Sequence, residues 1–169
     1  MRRNYRLGVV MGNAFIGRPV RILMVEDNPR DVDLAREALK DGKVTNILDV
    51  ATDGEQALAR LRREGEFGDA ARPDLILLDL NLPGQSGLDV LEVVRQDPKL
   101  ASIPVVILTA SQEEADVHRA YRLSCNCYIT KPVDREQLVT IIDRIGDFWL
   151  TVVTLPAVLR QQTGPAPPA

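Results

Sequence analysis

From Val20 onward the chain alternates between two kinds of segment. The first kind is short and apolar: Arg21–Glu26 (RILMVE), Ile47–Ala51 (ILDVA), Asp74–Asp79 (DLILLD), Ile103–Thr109 (IPVVILT) and Asn126–Thr130 (NCYIT). Three of these are near-continuous apolar runs, the pattern of strands covered on both faces. The second kind carries apolar positions at helical spacing behind start signals. Asn28 precedes Pro29, a cap followed by proline at the first helical position, with Val32, Ala35 and Leu39 after it. Asp53 with Gln56 forms a capping-box pattern ahead of Ala57, Leu58 and Leu61. Ser86 precedes Leu88, Leu91 and Val94, and that helix should stop before Asp97-Pro98. Ser111 with Glu114, and Asp134 with Gln137, predict two more boxed helix starts, the last ahead of Leu138, Ile141, Ile142 and Ile145. Five β-α units predict an α/β chain: a doubly wound parallel sheet with helices on both faces.

The rest of the chain divides simply. Residues 1–19 read as an N-terminal extension. Arg2 and Arg3 precede a weakly apolar run from Leu7 to Ile16, but Asn13 interrupts it and no small-residue cleavage site follows, so it is not a signal peptide; Met11 is an alternative start. Glu64–Arg72 reads as a polar loop, residues 149–157 as an apolar arm and residues 158–169 as a Pro-rich, disordered tail. Hydrophobic residues make up 45% of the 169, enough for a full core and against a disordered chain. The net charge of -3 gives no reason to expect nucleic acid, and no apolar stretch reaches the ~20 residues of a membrane span. Cys125 and Cys127, two apart in a strand-like segment, are expected on one face as reduced packing residues of a cytoplasmic protein.

In an open parallel sheet, ligands bind beyond the carboxyl ends of the strands. The first apolar segment ends in Glu26-Asp27, the third in Asp79, the fourth in Thr109, and the fifth in Thr130-Lys131-Pro132. All of these crowd one edge. Glu26, Asp27 and Asp79 would place three negative charges in one pocket, which costs stability unless cations compensate. Lys131 supplies one positive charge, and a hard divalent ion such as Mg²⁺ would supply two, balancing three against three. Such a pocket suits a phosphoryl group. Asp79 could attack phosphorus and form an acyl phosphate. Asp27 should bind the metal directly, Glu26 through water, and the backbone carbonyl of Asn81 could complete the shell. Lys131 would pair with a phosphoryl oxygen, and the Thr109 hydroxyl could donate to another.

Glu26-Asp27, Asp79, Thr109-Ala110 and Lys131-Pro132, in this order and spacing, resemble the receiver domain of two-component response regulators over residues 20–148. The resemblance implies the flavodoxin-like strand order 2-1-3-4-5, phosphorylation of Asp79 by a histidine kinase, a Mg²⁺ requirement and a cis Lys131-Pro132 bond. It also implies a switch. Thr109 is drawn toward the phosphoryl group, Tyr128 turns inward, and the face of the fourth helix, fifth strand and fifth helix changes partners. The roughly twenty residues after the last helix are too few for a fused DNA-binding effector. The apolar segment Phe148–Pro156 (FWLTVVTLP) and the Asn126-Cys127-Tyr128 strand resemble the small regulators paired with phytochrome-type histidine kinases. That resemblance implies a homodimer through the helix 4/strand 5/helix 5 face and the arm.

Two other readings compete. One is a phosphatase of the haloacid dehalogenase type, with an Asp nucleophile and Mg²⁺. That family carries its nucleophile on the first strand with a second acid two residues on. Here the nucleophile candidate lies on the third, and position 81 is Asn. The other is a receiver-like interaction module that takes no phosphate, which the intact acid pocket disfavours. His118, the single histidine, reads as a solvent-facing helix residue and not a phosphocarrier.

Overall fold

The computed structural model describes residues 19–42 and 45–145. Five strands, β1 (Val20–Val25), β2 (Asn46–Ala51), β3 (Leu75–Leu78), β4 (Val105–Thr109) and β5 (Cys127–Thr130), form one sheet in the order β2-β1-β3-β4-β5. Every neighbouring pair is parallel. Five helices alternate with them: α1 (Pro29–Asp41), α2 (Gly54–Arg62), α3 (Gly87–Gln96), α4 (Glu114–Arg122) and α5 (Arg135–Ile145). The doubly wound sheet and its strand order are as expected. The polar loop adds a short 3-10 turn, Gly65–Phe67.

Alternate strand residues feed two cores. Leu23, Val25, Ile76, Leu78, Val105 and Ile107 meet Leu58, Leu61, Leu91 and Val94 from α2 and α3. Ile22, Met24, Leu75, Leu77, Val106 and Leu108 meet Ala35 and Leu39 of α1 and Leu138 of α5. This is why the three central strands read as unbroken apolar runs: neither face sees water.

Four of the five helix starts follow the sequence signals. Asn28 accepts from Arg30 N, Asp53 from Gln56 N and Ser86 from Leu88 N. Asp134 and Gln137 cap each other, each side chain accepting from the other's N–H at 2.7 and 3.0 Å. The fifth differs. α4 starts behind Glu113 with no side-chain cap, and Ser111 donates its hydroxyl to Asp116 at 2.6 Å. Ser111 sits too far ahead of the helix to cap it: its oxygen accepts from Glu113 N at 3.4 Å, short of the N–H groups of α4. β4 starts at Val105, because Pro104 has no N–H for the ladder.

Cys125 and Cys127 do not share a face. Cys125 is buried in the first core, and Cys127 packs on the second. Cys125 precedes β5, and the chain bends at Asn126 between the two cysteines, which breaks the extended alternation. His118 is exposed on α4, with Glu114 Oε1 3.2 Å away. No helix among the described residues is long and apolar enough to cross a membrane. The N-terminal extension except Pro19, the side chains of Ile142 and Ile145, the apolar arm and the tail lie outside the described residues.

Candidate phosphoryl-acceptor site

Strands β1, β3, β4 and β5 end at one edge, and each delivers a polar residue there. Glu26 follows β1, its N–H donating to Ala51 O at 2.9 Å. Asp79 follows β3, its N–H held by Val25 O at 3.0 Å. Lys131 follows β5, its N–H held by Thr109 O at 2.7 Å. Each reactive side chain is therefore fixed by ladder-like backbone bonds one residue beyond a strand. The Lys131-Pro132 bond is cis, as the resemblance implies.

The third strand must also leave room. Gly87, at the start of α3, donates its N–H to Leu80 O at 3.0 Å. A Cβ there would sit 2.1 Å from the carbonyl oxygen of Asp79. Glycine at 87 thus lets α3 close directly beneath Asp79, and Gly84 (φ +75°) turns the chain between them.

Glu26, Asp27 and Asp79 each offer a carboxylate oxygen, and the three lie within 4.8 Å of one another. Glu26 and Asp79 are buried and Asp27 is exposed. A hard divalent cation fits this donor set: oxygen ligands only, with one wall open for retained water. Lys131 Nζ lies 2.6 Å from Glu26 Oε2 and 3.1 Å from Asp79 Oδ2. Glu26 also accepts from Asn28 N at 3.0 Å. Asp79 Oδ1 accepts from Asn81 N at 3.1 Å. The Asn81 side chain reaches Thr109 Oγ1 at 3.5 Å, and Ser111 N donates to the same oxygen at 3.3 Å. Thr109 is fully buried beside Asp79.

One carboxylate escaped the sequence reading. Asp31, in the first turn of α1, lies 2.7 Å from Lys131 Nζ. The expected balance of three charges against three therefore does not hold: Asp31 adds a fourth carboxylate, and three of the four, Glu26, Asp31 and Asp79, contact the one ammonium. The place of Asp31 in the first turn of α1, just after Glu26-Asp27, brings it to the same sheet edge.

The ionisation pattern follows from these contacts. Burial pushes the Glu26 carboxyl above its ordinary value, against the opposing pull of Lys131 and Asn28 N–H. Burial acts on Asp79 too, but the N–H of Asn81, the Thr109 hydroxyl and Lys131 outweigh it and hold the carboxyl below its ordinary value. Burial would lower Lys131, yet the carboxylates of Asp31, Glu26 and Asp79 more than offset it, and the ammonium is raised. At neutral pH, Asp79 is an anion with its cation in place, which a carboxylate nucleophile requires.

Tyr128 is turned toward the sheet. Its ring packs on the first core, and its hydroxyl donates to Ser111 O at 3.1 Å.

A family model described as the response regulator receiver domain matches residues 22–143. The response regulator Rcp1 of Synechocystis sp. is 45% identical over 139 residues, covering 82% of this chain and 95% of that protein. The crystal structure of a phosphorylated cyanobacterial phytochrome response regulator, RcpA, is similar with a TM-score of 0.76 and 47% identity. It covers 82% of this chain and 99% of its own. The Mn(2+)-bound form of Rcp1 gives a TM-score of 0.74 at 45% identity, with the same two coverages.

Proposed function

The chain belongs to the response regulator receiver family, and on that premise we propose that it signals by taking a phosphoryl group from a histidine kinase onto Asp79. One observation carries the reading: a single ammonium, Lys131 Nζ, reaches the buried Glu26 and Asp79 together, with Asp27 completing the acidic cluster. A carboxylate oxygen of Asp79 forms the bond to phosphorus while the phosphohistidine P–N bond breaks, its electron pair leaving on the imidazole. Lys131 follows the charge onto a phosphoryl oxygen, and the Thr109 hydroxyl donates to another. Glu26, Asp27, Asp79 and the backbone carbonyl of Asn81 would hold Mg²⁺, which supplies charge neutralisation for the incoming oxyanion. Mass gain of one phosphoryl group from acetyl phosphate and Mg²⁺ tests the reading. The gain should vanish in Asp79→Asn and with a chelator. Labelling that persists in Asp79→Asn would overturn it, and a wild-type chain that stays unlabelled would leave a receiver-fold interaction module.

The donor is a phytochrome-type kinase in this reading. Similarity to Rcp1, and to RcpA, whose name describes a phytochrome response regulator, supports it. The output is a change in the α4-β5-α5 face, with Thr109 and Tyr128 as its switch residues and a second copy as its partner, in the cytoplasm. β5 is an edge strand there, and Tyr121 of α4 is 55% exposed. Sedimentation of wild type and Tyr121→Ser, with and without phosphorylation, tests that face. A monomer in every state would remove the dimer.

A further inference from the structure

Lys131 offers three protons, and three carboxylates take them: Glu26 at 2.6 Å, Asp31 at 2.7 Å and Asp79 at 3.1 Å. The three are not equivalent. Glu26 is 1% exposed and anchored again by Asn28 N–H, so it cannot withdraw. Asp79 is the acceptor. Asp31 sits on the first turn of α1 with its side chain 29% exposed. It lines a 330 Å³ cavity shared with Leu34, Leu108, Pro132 and Leu138. It is the one partner with room to leave.

Charge gives that mobility a consequence. Glu26, Asp27 and Asp79 against Lys131 and a divalent ion balance to zero. Asp31 adds one uncompensated negative charge, beside the ammonium that must receive the phosphoryl oxygens. Every phosphoryl donor is itself an anion. Resting on the phosphoacceptor reading above, we propose that Asp31 is a positioning residue that acts as a brake on phosphoryl capture: its carboxylate retains Lys131 on the α1 side and repels the incoming oxyanion. Capture then proceeds with Asp31 swung toward solvent, where its side chain is already part-exposed. An Asp79 oxygen bonds to phosphorus, the donor's P–O bond breaks, and acetate departs with that electron pair when acetyl phosphate is the donor.

Asp31→Asn keeps the shape and an acceptor oxygen for Lys131 but removes the charge. Acyl phosphate formation from acetyl phosphate and Mg²⁺ should accelerate roughly threefold to tenfold, the size expected of one partly solvated charge a few ångströms away. Asp31→Glu, which restores a carboxylate on a longer stem, should stay near the wild-type rate. The Mg²⁺ affinity, by calorimetry, should fall no more than a fewfold in Asp31→Asn and stay close to wild type in Asp31→Glu, because Asp31 is not one of the three clustered carboxylates. Asp31→Asn at or below the wild-type rate would overturn the brake, as would Asp31→Glu accelerating equally. Wild-type protein that labels on Asp79 while Asp31→Asn gains nothing would sink this inference alone. Wild-type protein that does not label at Asp79 would sink the site reading first.

Discussion

Lys131 Nζ lies 2.6 Å from Glu26 Oε2, so residues 105 positions apart in sequence close the pocket between the ends of β1 and β5. Lys131→Met removes that ammonium and leaves Glu26, Asp27, Asp31 and Asp79 facing one another. Breaking a largely buried pair costs about 3 kcal/mol at neutral pH. The pH dependence has a definite sign. Lys131 is raised in the fold, so its contribution is complete below its unfolded value of 10.5 and fades only as pH rises through the folded value. Asp79 is depressed, so its contribution is present above its unfolded value of 3.8 and is lost as pH falls through the folded value. In Lys131→Met the group that lowers both Glu26 and Asp79 is gone. Both then bind protons more readily in the folded state, and acid favours the variant. Urea denaturation at neutral pH and near pH ~5 should show the gap to wild type narrowing in acid. A gap of constant size would assign the lysine's contribution to packing of its stem.

Glu26, Asp27 and Asp79 cluster within 4.8 Å, and a divalent ion bound there stabilises the folded state by mass action. At a hundredfold excess over Kd the gain is about 2.7 kcal/mol. For a chain of this size that raises Tm by roughly 5–10 °C. Asp27→Asn should abolish most of the rise, since Asp27 is the exposed carboxylate that completes the set. A thermal scan with Mg²⁺ and with a chelator reads it directly. An equal rise in Asp27→Asn would move the metal elsewhere.

A methyl group at position 87 would meet the Asp79 carbonyl at 2.1 Å and the Leu80 Cα at 2.7 Å. Both are backbone atoms and cannot rotate away. Gly87→Ala should therefore push α3 off the end of β3, costing about 3 kcal/mol. It should slow labelling of Asp79 as well, because the acceptor's own backbone must shift. Denaturation midpoint and mass gain measured on the same sample test both effects. A stable variant with normal labelling would mean the helix start adjusts freely.

Tyr128 donates its hydroxyl to Ser111 O and not to Asp79. Tyr128→Phe should cost about 1 kcal/mol, the net value of one hydrogen bond, with the ring still packed. The rate of Asp79 labelling should not change. A slower rate would place the hydroxyl in the phosphoryl chemistry, where this geometry does not put it.

The strands and the acid pocket were legible because both rest on local rules. A strand buried on two faces must be apolar throughout, and residues at successive strand ends of a parallel sheet must converge. The caps at Asn28, Asp53, Ser86 and Asp134 were legible for the same reason. What escaped depended on contacts across the chain. Ser111 looked like a cap, but α4 starts behind Glu113, and the Ser111 oxygen accepts from Glu113 N instead. Cys125 and Cys127 looked like neighbours on one face, but the chain bends at Asn126 between them, and β5 starts only at Cys127. Asp31 stands in the first turn of α1, and nothing local announces that Lys131 comes to rest beside it.

Arg95 illustrates the same limit. It lies in the last turn of α3. In the fold its guanidinium donates to Ala101 O, Ile103 O and Ser124 O at 2.9 to 3.1 Å, and to Asn126 Oδ1 at 3.2 Å. Asn126 Oδ1 in turn accepts from Val105 N at 2.8 Å. One side chain thus ties the loops before β4 and β5 to α3. Arg95→Met keeps the aliphatic stem and removes every donor, leaving partly buried carbonyls without a partner. The cost should be about 2–3 kcal/mol. Because the network lies at the opposite end of β4 and β5 from Asp79, acetyl phosphate should still label the variant at the wild-type rate. Loss of labelling in step with stability would mean that the two ends of the sheet are coupled through β4.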